Sequence, residues 1–96
     1  MNEILVERGR YFDSVFLMRI SRELEAIPGV RRAVVAMGTP ANLAALASVG
    51  FKLTAEAVGL RADDLVTALD AADRDAFDAA KRRLAKLLTA GTDDGE

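Results

Sequence analysis

The chain of 96 residues contains no histidine and no cysteine. These are the side chains most often used for proton transfer, nucleophilic attack and zinc coordination near neutral pH. The absence of cysteine also excludes a disulfide framework and fits a reducing compartment, so we expect a cytoplasmic location. Only carboxylates, hydroxyls, one tyrosine and basic side chains remain, and they form no recognisable acid and base pair. The sequence therefore predicts no catalytic residue, no metal site and no cofactor bound by this chain alone.

Aromatic residues are scarce, with one tyrosine and four phenylalanines, and alanine supplies much of the apolar content. A chain of this length forms one domain with a thin core, which favours a homo-oligomer or docking to a partner surface. The formal net charge is -2, with both signs spread along the chain, so nucleic-acid binding is not expected. No apolar run approaches the length of about 18 residues that a membrane span requires.

The first part of the chain is predicted to form a strand followed by a helix. Residues 3–8 (EILVER) are short, partly β-branched and followed by glycine, which predicts a strand. A helix is expected to begin after Asp13 as N-cap and to end before Pro28, because the residue preceding proline is disfavoured in the helical conformation. Its apolar residues are expected to form one broad buried face. They are Phe12, Phe16, Ile20 and Leu24, widened by Val15, Leu17 and Met18.

A second strand and a second helix follow. Val30–Met37 (VRRAVVAM) ends in five apolar residues, a pattern typical of a central strand buried on both faces. Thr39 is a good N-cap, and Pro40 suits the first position of a helix, where its missing N–H is not needed. That helix is expected to end at Gly50. Strand, helix and strand in this order predict a β-α-β unit with a right-handed crossover.

The segment Leu65–Ala71 is ambiguous. Leu65, Leu69 and Ala72 fit one side of a helix, whereas Leu65 and Thr67 with Leu69 fit one face of a strand. We favour a strand, because two strands alone make a poor sheet. The choice also agrees with the family resemblance described below.

The last helix is expected to begin at Asp73 or Asp75 and to run to about Thr89. Residues 91–96 are predicted to form a disordered acidic tail, so that the domain covers residues 1–90. The element order β-α-β-α-β-α predicts a small single α/β domain, in which helices pack on a short three-stranded sheet. A ferredoxin-like or ACT-like arrangement is the alternative.

Two turns carry the candidate contact residues. Gly38, Thr39 and Asn42 lie where the second strand enters a capped helix, and helix N-termini attract anions. Asp13 and Ser14 open the first helix. If the two strands are parallel neighbours, both turns lie at the edge where open α/β sheets bind ligands. These five residues are therefore candidate contacts for a ligand or partner, although ordinary helix capping explains the same residues.

Four aspartates superficially suggest a cation site at Asp70, Asp73, Asp75 and Asp78. A calcium-binding EF-hand loop starting at Asp70 would need glycine at its sixth position and glutamate at its twelfth. The sequence has Asp75 and Lys81 there, so we interpret the cluster as a solvated acidic turn with helix caps.

A family resemblance adds to this interpretation. It rests on residues 11–15 (YFDSV), 17–18 (LM), 20–21 (IS), 29–30 (GV) and 37–42 (MGTPAN). In these segments the sequence resembles the N-terminal region of FdrA-type proteins, which are acyl-CoA synthetase-like proteins akin to the subunits of succinyl-CoA synthetase. The resemblance extends more loosely to the last helix. FdrA-type proteins continue into CoA-binding and ligase-like domains, to which nothing in this sequence corresponds.

The resemblance implies a non-catalytic accessory or assembly domain of an FdrA-like acyl-CoA synthetase system, with carbamoyl transfer as a further context. It implies an FdrA-like subunit or domain as partner, and CoA or a nucleotide only through that partner or a missing domain. The alternative is a small-ligand-sensing regulatory domain resembling ACT domains, supported by Pro28-Gly29-Val30 between helix and strand. A self-contained enzyme is a third hypothesis, for which the sequence offers no catalytic residue.

Overall fold

The elements follow the predicted order. A computed structural model describes residues 2–51 and 59–94, with side chains up to Thr89. The described residues form β1 (Asn2–Glu7), α1 (Ser14–Glu25), β2 (Val30–Met37), α2 (Pro40–Ser48), β3 (Leu65–Ala71) and α3 (Arg74–Asp94). The predicted small α/β domain with a three-stranded sheet is therefore confirmed, and the ambiguous segment before α3 is a strand.

The central strand of the sheet is β3. The strand order is β1-β3-β2, and β3 pairs antiparallel with both neighbours. The prediction that β2 is central is wrong, since β2 lies at an edge and starts with exposed Arg31 and Arg32. Every residue of β3 except Asp70 is buried. β1 and β2 are parallel to each other but separated by β3, which gives the split β-α-β arrangement of the ferredoxin-like alternative.

Helices cover both faces of the sheet, so the core has two parts. Alternate residues of a strand point to opposite faces. Leu65 and Leu69 of β3 pack with α1 and α3, where Phe77 is fully buried. Val66 and Ala68 pack on the other face with α2. The burial of both faces explains why β3 is a nearly continuous apolar run.

Helix α1 buries a narrower stripe than predicted. Leu17, Ile20 and Leu24 are buried, but Val15 is 71% exposed and Met18 57%. Successive helical residues are rotated by about 100°, which places Val15 and Met18 on the side opposite the buried stripe. The predicted broad buried face is therefore wrong at these two positions.

Helix α3 begins where expected and continues further. The Asp73 Oδ1 atom accepts a hydrogen bond from the Ala76 amide at 2.9 Å, as an N-cap does. The helix extends to Asp94, beyond the predicted end near Thr89. The division into a domain and an acidic tail stays a prediction, and residues 95 and 96 lie outside the described residues. Neither α3 nor any other helix in the described ranges is apolar and long enough to cross a membrane.

The turn between α1 and β2 depends on Gly29. Its φ angle is +91°, and a Cβ atom added there would lie 2.7 Å from the Ala76 Cβ. Its carbonyl oxygen accepts a hydrogen bond from the Ala72 amide at 2.7 Å. Gly29 therefore lets the start of β2 approach the start of α3 more closely than any side chain would allow.

We expect Gly29→Ala to lower the free energy of unfolding by about 3 kcal/mol, because left-handed backbone strain adds to a steric clash. Gly50→Ala is the matched control: Gly50 has a φ angle of +100°, but no atom of the described residues lies within 4 Å of the added Cβ. We expect it to cost about 1–2 kcal/mol from backbone strain alone. Chemical denaturation measures both values. Equal losses of unfolding free energy in the two variants would show that the contact with Ala76 adds nothing to the backbone strain.

Candidate functional site

Three chain segments meet at one edge of the sheet. β1 and β2 both end there, and β3 begins there, since Glu7 and Met37 are both register partners of Leu65. The turns after β1 and β2 therefore share an edge, an arrangement that the sequence predicts only for neighbouring strands. They are not neighbours, however, because β3 and the residue before it lie between them.

That residue is Asp64, and it is bonded to both turns. Its Oδ1 atom accepts a hydrogen bond from the Gly9 amide at 2.8 Å. Its Oδ2 atom accepts one from the Arg61 amide at 3.0 Å, and its main-chain oxygen accepts one from the Gly38 amide at 2.8 Å. We call these three hydrogen bonds the Asp64 clamp. The clamp holds the β1–α1 loop, the approach to β3 and the β2–α2 turn together.

The carboxylate of the clamp is nearly buried, since its side chain is only 6% exposed. The hydrogen bond from the Arg61 amide, and next the one from Gly9, hold the pKa of Asp64 below its ordinary value, although burial acts in the opposite direction. The positive charges of Arg8 and Arg61 lower this pKa further. Arg8 lies 3.8 Å from Oδ2. Both carboxylate oxygens are thus engaged in holding the backbone.

Gly38, Thr39 and Asn42 serve the turn itself. A Cβ atom on Gly38 would lie 2.9 Å from the Arg61 carbonyl oxygen, so this position requires glycine. Thr39 Oγ1 accepts a hydrogen bond from the Asn42 amide at 3.1 Å and caps α2 as predicted. The Asn42 side chain donates to the Met37 carbonyl at 2.8 Å. These contacts are structural, and a role for the three residues in binding stays a prediction.

Asp13 and Ser14 lie apart from that turn. Asp13 Oδ2 accepts hydrogen bonds from the amides of Val15 at 3.0 Å and Phe16 at 3.4 Å, so Asp13 is the predicted N-cap of α1. Ser14 is exposed at the first position of the helix. Among the residues that the structure describes, no hydrogen bond or ion pair joins these two to Gly38, Thr39 or Asn42. Their role as contacts also stays a prediction.

Asp13 does border a second feature, a groove on the outer side of α1. The groove is an open depression with a volume of about 480 Å³. We call it the α1 groove, and it is lined by Asp13, Val15, Phe16, Met18, Arg19 and Arg22. Within residues 2–51 and 59–94, neither arginine forms an ion pair. Exposed apolar side chains thus adjoin two cations without carboxylate partners.

Sequence reasoning missed both features. Asp64 is not among the residues singled out from the sequence, although an aspartate directly before a mostly apolar strand is well placed to bind loop amides. The α1 groove was missed because Val15 and Met18 were assigned to the core. The signal was available, since Arg19 and Arg22 follow Val15 at helical spacings of four and seven residues and mark that side as solvent-exposed.

A family comparison identifies the domain. A family model described as "AllF, heavy metal-associated domain" matches residues 1–96. The chain belongs to this AllF family. Comparisons with curated proteins and with solved structures give no match. The match corrects the predicted resemblance: the domain assigned is the heavy metal-associated domain of AllF, and the assignment to FdrA-type acyl-CoA synthetase-like proteins is wrong. The coarser prediction of a small accessory-type α/β domain holds.

The residues of this AllF-family domain do not fit a heavy-metal site. Soft metals select thiolate and thioether ligands, and zinc selects thiolates and imidazoles. The sequence has neither cysteine nor histidine. Of its methionines, Met37 is buried in the core and Met18 is exposed on α1. Within the described ranges, no three acidic side chains are grouped closely enough to hold a metal ion.

We expect neither zinc nor copper(I) to bind saturably when the purified chain competes with a chromogenic chelator, because the donor set lacks soft ligands. The matched control carries Tyr11→Cys and Ser14→Cys, which create a C-x-x-C spacing in the β1–α1 segment. That variant should withdraw metal from the chelator. Stoichiometric metal binding by the unmodified chain would contradict the expectation.

Proposed function

We infer that this AllF-family domain is a non-catalytic docking domain, which binds a partner protein through the α1 groove. This proposal rests on one observation: exposed Val15 and Met18 line the same groove as Arg19 and Arg22. Burial of apolar surface contributes free energy of binding, and charged groups contribute to the orientation and specificity of the complex. The two occur together at this place on the described surface.

The chemistry of the chain supports docking over catalysis. A general acid or base must be free to exchange a proton with a substrate. Asp64 is the buried carboxylate of the described core, but both its oxygens accept backbone hydrogen bonds. Its lowered pKa keeps it ionised at neutral pH. It therefore acts as a fixed structural anion: it has no proton to donate, and the oxygens that would accept one already hold backbone amides.

The α1 groove is held on a rigid support. The inner side of α1 is buried through Leu17, Ile20 and Leu24. The helix is also bonded to β2, where Ser21 Oγ accepts from the Val35 amide at 2.9 Å and Glu25 Oε2 from the Ala33 amide at 3.0 Å. A preorganised surface loses little conformational entropy when it binds. This support favours the outer side of α1 as a contact surface.

The charges define the chemistry of the partner. Arg19 and Arg22 are three residues apart on one helix, so both guanidinium groups can face one bound segment. Arginine pairs well with carboxylates, while Val15 and Met18 offer adjacent apolar contact. We therefore propose an acidic, amphipathic segment of the partner as the occupant of the groove. The unbranched Met18 side chain can adapt to apolar side chains of different shapes.

The test uses a fluorescent helical peptide that carries leucine and glutamate on one face, measured by anisotropy. The double variant Arg19→Glu, Arg22→Glu should weaken binding at least about tenfold, because attraction becomes repulsion at both sites. Higher salt should also weaken binding to the unmodified chain. The matched control is Arg82→Glu, which reverses an exposed charge on α3 and should leave the affinity unchanged.

Three outcomes would overturn the proposal. They are equal binding of a peptide whose glutamates are replaced by lysines, equal affinity of the double variant, and no binding at all. The small-ligand alternative is tested with the same variants by thermal shift. A rise in Tm with a free amino acid that disappears in the double variant would assign the groove to a metabolite and not to a protein.

A further inference from the structure

The two edge strands of the sheet differ in whether side chains bond to their outer backbone groups. On the outer edge of β2, the amides of Ala33 and Val35 donate to the side chains of Glu25 and Ser21 on α1. Side chains of a helix thus occupy hydrogen-bonding positions that another strand would need. An edge covered in this way is protected against pairing with a further strand.

No described residue covers the outer edge of β1 in this way. The Gly38 amide donates to the main-chain oxygen of Asp64, so the backbone oxygen of Asp64 points towards β2. Backbone groups alternate sides along a strand, so the even-numbered residues of β3 also face β2. The odd-numbered residues therefore face β1. By register, Glu3, Leu5 and Glu7 take those bonds. The backbone groups of Ile4 and Val6 consequently point away from the sheet, and within the described part of the chain they have no partner.

An apolar groove lies beside this open edge, between β1 and α3. It encloses about 230 Å³, and its apolar lining is formed by Leu5, Leu65, Leu84 and Ala85. Glu7 and Lys81 also line it. β1 is nowhere fully buried, since its residues are exposed or half-buried throughout. The open edge and the groove form one surface, which a strand laid against β1 would cover.

We propose that this surface binds a second copy of the chain, by antiparallel pairing of β1 with β1 to form a continuous six-stranded sheet. A twofold axis at Leu5 places Ile4 of one copy opposite Val6 of the other, so the outward backbone groups pair with each other. The two Leu5 side chains then meet on the face that carries the grooves. Directly opposed apolar residues at such a position stabilise strand pairing.

In this register two carboxylates face each other, and nearby cations offset their repulsion. The twofold axis brings Glu3 of one copy opposite Glu7 of the other. Glu7 is already paired with Arg10 at 3.0 Å, and Lys81 lines the same groove. Lys81 thus adds a positive charge to the groove beside the Glu7–Arg10 ion pair, whereas Glu3 has no ion-pair partner in residues 2–51 and 59–94. Each copy therefore offers a carboxylate to a cationic site on the other.

The dimer surface is independent of the proposed function, because it uses β1 and α3 and leaves the α1 groove open. The test is sedimentation equilibrium over a range of protein concentrations. The unmodified chain should dimerise, and Val6→Pro should raise the dimer Kd at least about tenfold, because it removes an amide that faces the partner. The matched control Val6→Thr keeps that amide and should dimerise like the unmodified chain.

A charge exchange provides a second test that does not depend on the folding of the proline variant. Glu3→Lys and Lys81→Glu should each weaken the dimer several-fold, and the double variant should recover most of the loss. Three results would overturn the proposal: a monomer at every concentration, a dimer insensitive to Val6→Pro and to both charge changes, and a double variant no better than the single ones. Circular dichroism melting checks that each variant is folded.

Discussion

Asp64 connects, through its carboxylate and its main-chain oxygen, the parts of this domain that the sheet alone leaves apart. β1 and β2 end at the same edge but are separated by β3. Gly38 of the second turn is buried, where an amide without an acceptor is costly, and Gly9 of the first turn is exposed. One residue supplies the acceptors for Gly9 and Gly38 and also binds the amide of Arg61. The clamp therefore determines where the loop before α1 can lie.

The two sides of helix α1 have different structural roles. Its inner side contributes Leu17, Ile20 and Leu24 to the core, and its polar margin covers the outer edge of β2. Its outer side carries exposed Val15 and Met18, which a domain of this size would not expose for stability. The surface therefore has three distinct parts. The edge at β2 is protected, the open edge at β1 is the proposed dimer surface, and the α1 groove is the proposed docking site. The family name suggests heavy metals, yet the donor set of this chain does not suit them.

Much of the fold was predictable from local patterns. The caps at Asp13 and Thr39 and the element order follow from residue types that act locally. The strand order did not follow, because β2 and β3 are both rich in apolar residues, and their burial depends on which of them receives neighbours on both sides. The antiparallel pairing of β3 with both neighbours likewise depends on contacts distant in sequence.

The functional surfaces were harder to predict than the fold. Val15 and Met18 are apolar, so composition alone assigns them to the core, and only their angular position relative to Leu17 places them outside. The clamp joins Asp64 to Gly9 across 55 positions, and no local pattern reports such a contact. The five candidate contact residues were chosen as helix caps and turn residues, and the structure finds capping or turn roles for most of them.

The central claim is that the ionised Asp64 carboxylate holds the loop before α1, and amide NMR during a pH titration tests it most directly. The account predicts that the Gly9 and Arg61 amide resonances shift together, with one midpoint below the ordinary aspartate pKa of 3.8. Because the folded-state pKa is lowered, stability present above the ordinary value should be lost as pH falls through that midpoint. Asp64→Asn should remove this part of the pH dependence and lower the Tm at neutral pH. Separate midpoints for the two amides, or a shared midpoint above 3.8, would contradict the account.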